Sequence, residues 1–543
     1  NYLRCARQAD IPTGEFWIEG HAPAIFPGSA ANVHGRARVG AEAFTTEALP
    51  GLWQQDPRQL KEYGDRAWCN GISQLIMHSF VHQPWLNVRP GKTLGRHGAH
   101  LSRSNTWWPY GHAWVDYINR SQFLLQQGRA VRDVLVLAGE SRPNHYPAIA
   151  ELTNAGYAFD YCCADDLYDS LKVSNGRVVA PSGASYALLF LGPDRYLSCK
   201  TLRTLRDLLH AGATIAGIAP TASPSLTDTP DEHSALRQEL WGDLAAGQRR
   251  QIGAGALICS DKPLAALQAC AVPPAVVVPR GVSTVHRRRG QLDIFFIVNQ
   301  SSDAFLTKDI AFRVPADRVP SLWYPDSGLD EPAALWQRLE SHTAVRLALL
   351  PHGSLFVVFA PAGTDGNATA HFRDLVSQNA AGATTESASI VITRAMYRAR
   401  GDQDGMDVSD TIRKLITPNG LFFTANNQTF GRDPASNRFK ELVLDAVVYG
   451  RLIQRVYAEH AEIAFDRSLS AASPTQYVRV VDGVPRVCFT APGTAAVIDQ
   501  LGQRRELSVD AIPAPIDLSN DWQLSFPPDL GALERGDAAV VAD

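Results

Sequence analysis

The chain has 543 residues, 45% of them hydrophobic and 20% charged, with a formal net charge of -4. At ~100–200 residues per domain, that length predicts three or four units with apolar material for several cores. The near-neutral balance argues against a nucleic-acid or anionic-membrane partner, and no run approaches the ~18 apolar residues of a membrane-spanning helix.

The chain opens Asn-Tyr-Leu-Arg-Cys, without an initiator Met, a basic n-region or an apolar h-region. It reads as a piece of a longer protein, cut at both ends. Any targeting signal is expected upstream, for a periplasmic or secreted protein.

Residues 1–145 predict parallel β/α units. "VGAEAF" (Val39 to Phe44), "SQLIMHSFV" (Ser73 to Val81) and "DVLVLAGE" (Asp133 to Glu140) read as buried strands. Helical stretches lie at Pro57 to Asn70 and His112 to Gln127. In the second, Trp114, Tyr117, Ile118, Ser121 and Leu125 share one face at helical spacing. Strand–helix alternation of this kind suits a barrel or a doubly wound sheet.

Residues 146–272 predict a flavodoxin-like α/β domain. "SYALLFLGP" is an apolar strand, Leu202, Leu205, Leu208 and Leu209 line one side of a helix, and "ATIAGIAP" returns as a strand. No glycine-rich phosphate loop follows any strand, which argues against a nucleotide site. Residues 273–362 predict a β-sandwich from "QLDIFFIVNQ", "DIAFRVP", "TAVRLALLP" and "SLFVVFAP". Residues 371–495 mix helix and strand as an α+β unit without an assigned role.

The eight cysteines are scattered without a CxxC pair, which predicts buried free thiols. There is no GxSxG elbow and no HExxH. His78 and His82 are four apart on a strand running into a loop, a weak zinc signal.

The unusual side chains gather in the first 145 residues. Glu15 in "TGEFW", Glu42 in "GAEAF" and Glu140 in "LAGES" stand where strands end or loops begin. In a β/α barrel, polar residues at the carboxyl ends of strands point into the site. The plainer reading of Glu140 is a residue leaving the core and pairing with an arginine such as Arg142. Seven of the eleven tryptophans lie here, among them Trp17, Trp85, Trp107 and Trp108, together with His78, His82 and Arg103. Sugars present apolar C–H faces to aromatic rings and hydroxyls to charged partners, so this mixture suits carbohydrate.

The segments "GEFW", "ANVHGRARVGAEAFT", "DRAWCNGI", "HQPW", "PGKTLGRHGAHLSRSNTWW", "YINRSQFLLQQG" and "LAGESRP" occur in this order. Together they resemble the catalytic region of glycoside hydrolase family 106, over residues ~8–360 when "HRRRGQLDIFFIVN" and "LPHGSLFVVF" are included. The resemblance implies an α-L-rhamnosidase that cleaves terminal α-L-rhamnosyl residues of glycosides, oligosaccharides or polysaccharides with inversion. It implies a (β/α)8 barrel whose C-terminal part is residues 1–145. The missing first half would leave exposed edges, so the piece alone is expected to be inactive and prone to associate. "IDLSNDWQLSF" is similar to the opening of a β-sandwich sugar-binding domain, placing the start of a truncated one at 510–543.

The resemblance places the general acid at Glu15. It places the general base at Glu140, at the end of the last barrel strand, and implies calcium held by carboxylates. Relatives carry further Glu residues where this chain has Thr13 and Pro109, which argues for weaker metal binding or another substrate. Two alternatives stand beside this reading: a retaining β-galactosidase-like glycosidase, and a non-catalytic carbohydrate-binding protein.

Overall fold

The computed structural model describes residues 2–18, 25–46, 53, 55–85, 87–88, 91–94, 97–140, 150–301, 306–362, 370–378, 390–448, 451–466 and 476–514. The fold is mixed α/β. Its first sheet has three parallel strands, β1 (Thr13–Trp17), β2 (Gly40–Thr45) and β3 (Gln74–Met77), in that spatial order. Helices Ile25–His34, Pro57–Cys69 and His112–Leu125 follow the strands in turn.

The helix Pro57–Cys69 starts where its sequence dictates. Asp56 accepts a hydrogen bond from the Gln59 amide at 2.9 Å, and Pro57 occupies the first turn, where no N–H is needed. Leu60, Gly64, Ala67 and Trp68 form its buried face. They join Phe16, Ala41, Ala43 and Phe44 of the sheet and Trp114, Tyr117 and Ile118 of the next helix in one core. Alternation along the strands therefore turns Glu15 and Glu42 to the opposite face.

β3 stops at Met77, so His78 and His82 lie on the loop after it rather than on an extended strand. A larger correction concerns Val134–Leu137. This strand pairs with Phe159–Cys162 and Leu188–Phe190, in a second sheet of six strands. The second unit therefore begins near residue 133 instead of 146, and Glu140 belongs to it. All four residues of this strand are buried, so its apolar run carries no sign of which sheet it joins.

The spatial order of the second sheet is Arg249–Ile252, Gly255–Ile258, Thr214–Ala216, Leu188–Phe190, Val134–Leu137, Phe159–Cys162. Only Arg249–Ile252 is antiparallel to its neighbour. Apart from that added strand, the order is the one found in flavodoxin-like sheets. Among the eight free cysteines, Cys162, Cys163, Cys199 and Cys259 are buried here.

Two antiparallel sheets follow, spanning residues 276–361, and Arg129–Ala130 adds an edge to the second of them. The strand Leu292–Asn299 is apolar from Ile294 to Val298 because both its faces are covered there. Phe295 and Ile297 face the core between these sheets, while Ile294, Phe296 and Val298 join the core of the first unit. Further on, Phe372–Gln378 pairs with Gly493–Asp499. The α+β region expected at 371–495 is thus divided: residues 390–466 enclose a core of their own within this pair. The segment "IDLSNDWQLSF" lies outside the described residues.

Buried polar groups join the units. Asp160, fully buried, accepts from the Asn32 amide at 2.6 Å and the Tyr186 hydroxyl at 2.9 Å, with Arg132 Nε 3.2 Å away. Burial raises its pKa, against the opposing charge of Arg132. Asn32→Ala should therefore lower stability by about 2–3 kcal/mol, the size of a hydrogen bond to a charged group plus its desolvation. Urea unfolding measures this, and a change below ~0.5 kcal/mol would show that Asp160 does not depend on the amide.

Candidate active site

The first sheet carries two carboxylates midway along neighbouring parallel strands. Glu15 of β1 and Glu42 of β2 are register partners. Neighbouring strands lie about 4.7–4.9 Å apart, so the two backbones stand side by side. Glu15 is exposed and accepts from the Trp17 indole N–H at 3.2 Å. Glu42 is half-buried and accepts from the Thr45 hydroxyl at 2.6 Å. Each carboxylate thus keeps most of its lone pairs for other partners.

The loop after β3 returns along the ends of the strands. The Ala99 amide donates to Phe44 O at 3.2 Å and His78 O at 3.0 Å, and the Ser79 amide donates to Ala99 O at 3.0 Å. Gly98 makes this approach possible. It has φ +86°, and a Cβ there would stand 2.4 Å from His78 Nδ1. His78 is half-buried beneath it. His100 is buried against Trp53, ring centroids 4.4 Å apart, and burial lowers its pKa.

The aromatic residues divide by role. Trp85 is 63% exposed at the turn "HQPW". Arg103 braces that turn by donating to Gln83 O at 2.6 Å and Trp85 O at 3.2 Å, while His82 stays exposed. Trp107 and Trp108 are half-buried and pack on the core of the first unit. Trp107 also meets Trp114 edge-on at 5.8 Å and donates its indole N–H to Gln55 O at 2.9 Å. Both rings are therefore held in part by packing.

Glu140 sits elsewhere. It follows Val134–Leu137 at the carboxyl edge of the second sheet, beside Leu188–Phe190. In the flavodoxin-like order this is where the strand sequence reverses, the crevice in which such sheets bind ligands. Its carboxylate accepts from Tyr168 OH at 3.0 Å, Ser198 Oγ at 2.9 Å and the Ser198 amide at 2.8 Å. The Tyr168 hydroxyl, its pKa pushed up to about 12 by burial and then by Glu140's charge, keeps its proton at neutral pH. Asp194 accepts from the Glu140 amide at 3.0 Å. Arg142, the alternative partner, lies outside the described residues.

The structure thus brings Glu15, Glu42 and Trp17 together on one face, while the bonds of Glu140 all run within the second unit. Tyr168, Asp194 and Ser198 were not singled out from sequence. Ser198 carries a readable signal, as the N-cap of helix Cys199–His210, bonding the Thr201 amide at 3.2 Å. That signal announces a helix and not a carboxylate.

Calcium takes 6–8 oxygen ligands. Among the described residues no group of three or more His, Cys, Asp or Glu is placed to hold a metal. The Thr13 hydroxyl is turned to Ile11 O at 3.0 Å, and Pro109 offers no side-chain oxygen. Among the described residues these donors alone do not make up that set, and the steps proposed for this site use this chain's own residues. No helix among them is long and apolar enough to cross a membrane.

The model of glycoside hydrolase family 106, described as alpha-L-rhamnosidase, matches residues 1–336. A Formosa agariphila protein provisionally named beta-glucuronidase is 34% identical over 470 residues, which is 85% of this chain and 38% of that protein. A rhamnosidase from Novosphingobium sp. PP1Y, of known structure, superposes with a TM-score of 0.61 at 29% identity, covering 74% of this chain and 38% of that one. The chain therefore spans under two fifths of the length of either relative.

The three donors on Glu140 set a testable expectation. In Glu140→Ala the Ser198 N–H, the Ser198 hydroxyl and the Tyr168 hydroxyl all lose this acceptor. Half-buried donors left without it should lower stability by about 1–3 kcal/mol. Urea unfolding within ~0.5 kcal/mol of the parent would rule this bonding out.

Proposed function

The chain belongs to glycoside hydrolase family 106, and from that membership we propose that it forms the C-terminal part of a catalytic (β/α)8 barrel in an inverting α-L-rhamnosidase. The observation that carries the reading is that Glu15 stands on a parallel strand with its exposed carboxylate accepting from the Trp17 indole N–H. The substrate class is a terminal α-L-rhamnoside of an oligosaccharide, polysaccharide or smaller glycoside.

In this proposal Glu15 is the general acid. Its carboxyl protonates the glycosidic oxygen as the bond from the anomeric carbon to that oxygen breaks. Glu140 is the general base, taking a proton from the water that attacks the anomeric carbon from the opposite side. Inversion requires the two carboxyl groups to stand ~6.5–9.5 Å apart. Two features support Glu140: its place at the crevice of the second sheet, and donors that orient an acceptor-only carboxylate. Trp17 orients Glu15 through its indole N–H. The exposed ring of Trp85 offers a stacking face for the sugar's C–H groups. In this proposal Glu42, with His78 and His82 from the loop after Gln74–Met77, binds the sugar's hydroxyls.

One observation favours a second reading. Glu15 and Glu42 are register partners, and carboxyl groups ~5–5.5 Å apart suit a retaining mechanism with a covalent glycosyl-enzyme. The anomer first released from an aryl α-L-rhamnoside, followed by proton NMR on the full-length protein, separates the two. Inversion yields β-L-rhamnose, whereas initial α-L-rhamnose overturns the Glu15–Glu140 assignment. Turnover of the rhamnoside should also exceed that of an aryl β-D-glucuronide, and the reverse order would point to the chemistry named for the Formosa relative.

Glu15→Gln should lower kcat/KM by ~10²–10⁴-fold for an alkyl rhamnoside. It should lower it far less for a dinitrophenyl rhamnoside, whose leaving group needs no proton. Because Glu15 is exposed, its stability should stay within ~0.5 kcal/mol of the parent. Equal losses on both substrates would remove Glu15 from the acid role.

A further inference from the structure

At the opposite end of the first sheet lies a cavity of about 220 Å³. Its walls come from the end of helix Ile25–His34, the segments leading into β2 and β3, residues 128–132 and the strand Val282–Arg289. Four arginines line it, Arg36, Arg129, Arg132 and Arg287, and no Asp or Glu is among the lining residues. Arg132 has Asp160 at 3.2 Å. The others meet neutral oxygens: Arg129 donates to Ser182 O at 3.1 Å, and Arg287 donates to Gln127 O at 2.7 Å and Gly128 O at 2.8 Å. The Nε–H of Arg36 is buried without an acceptor among the described residues. So is the indole N–H of Trp68, a side chain only 1% exposed that also lines the cavity.

The acceptors on this wall are neutral carbonyls and an amide, and the carboxylate nearby, Asp160, is paired with Arg132. Guanidinium groups brought together with too few carboxylates repel one another and have lost part of their hydration. Arg287 feels both effects, its pKa pushed down to about 10 by burial and by the charge of Arg132. A neutral lining of water would satisfy the N–H groups but would leave the repulsion. An oxyanion would answer both, because its oxygens accept charge-assisted forks from several sides. The volume holds a small tetrahedral anion with several waters, each taking ~30 Å³.

We propose that this cavity binds a small tetrahedral oxyanion, phosphate or sulfate, which ties together the first unit (Arg36, Trp68), the second (Arg132) and the sandwich (Arg287). It lies at the amino ends of the strands, away from the catalytic face, so its role is structural: the anion stabilises the packing of three units.

The test is calorimetric titration of the purified protein with sodium sulfate, sodium phosphate or sodium acetate, at ionic strength held constant with sodium chloride. Thermal melting in the same salts runs in parallel. Sulfate and phosphate should each saturate one site and raise the melting temperature with concentration, as binding to the native state requires. Acetate should do so weakly. Arg36→Gln should weaken sulfate binding on the order of tenfold or more, the weight of one charge-assisted bond. Arg38→Gln, changing an exposed arginine outside the cavity, should leave it unchanged. If Arg36→Gln does not fold, Arg36→Lys, which keeps the charge and loses the fork, should show the same weakening. Absence of saturable sulfate and phosphate binding overturns the proposal, as does binding that survives both Arg36 variants. An anomalous-scattering peak in selenate-soaked crystals should fall inside the cavity; a peak elsewhere overturns the assignment.

Discussion

The arrangement depends on how closely one helix can be approached from every side. In Ile25–His34 the residues from Pro27 to Val33 are all buried, and Gly28, Ser29, Ala30 and Ala31 keep the surface narrow. A Cβ on Gly28 would stand 3.1 Å from Asn70 O and from the Cα of Gly71. Ala31 joins the core of the first unit, Val33 one core of the second sheet and Ala30 the core on its other side. A helix with this many covered faces has no solvent face to carry polar residues. Its one long polar group inside this run, Asn32, is spent on Asp160 across the seam.

Polar side chains fasten the other seam as well. Asp65 is 1% exposed and accepts from Lys61 Nζ at 2.6 Å and from the hydroxyl of Tyr117. Lys61 reaches on to His352 O at 2.8 Å and Ser354 Oγ at 3.0 Å, at the start of the sandwich strand Ser354–Pro361. Burial raises the pKa of Asp65, and the charge of Lys61 works against it. Groups like these stabilise little when compared with an apolar contact, but removing one partner leaves the other buried and unpaired. They specify which surfaces meet.

The same logic separates the candidate site from the seams. Glu15 and Glu42 each accept one short-range donor and keep capacity for a substrate. Asp160 and Asp65 are buried at the seams, each held by side-chain donors of the neighbouring elements. Glu140 lies between these extremes: it accepts three donors, yet it stands at the open carboxyl edge of a parallel sheet. A carboxylate oriented this firmly can hold a water as well as a helix terminus, and turnover decides which it does.

Sequence alone determined the local elements and the kinship. The period of Trp114, Tyr117, Ile118, Ser121 and Leu125 marks a helix with one buried face, and the structure buries all five. The order of "GEFW", "HQPW" and the paired Trp pointed to the family that the comparison shows over residues 1–336. Glu42 was legible as a strand carboxylate from its flanking apolar residues, whereas Glu15, expected where a strand ends or a loop begins, stands midway along Thr13–Trp17. Only the tertiary structure decided which sheet each strand enters. "DVLVLAG" is apolar on both faces, and periodicity cannot assign such a strand, so Glu140 moved to the second unit when its hydrogen-bonded neighbours became known. Trp107 reads like Trp85 in sequence, yet one packs on the core and the other is exposed, because burial depends on elements far away in the chain. The four arginines around one cavity come from segments up to 251 positions apart, Arg36 to Arg287, and no local pattern brings them together. Hydrophobic period and turn chemistry are short-range and can be read along the chain, whereas strand order and charge clustering arise from packing between segments.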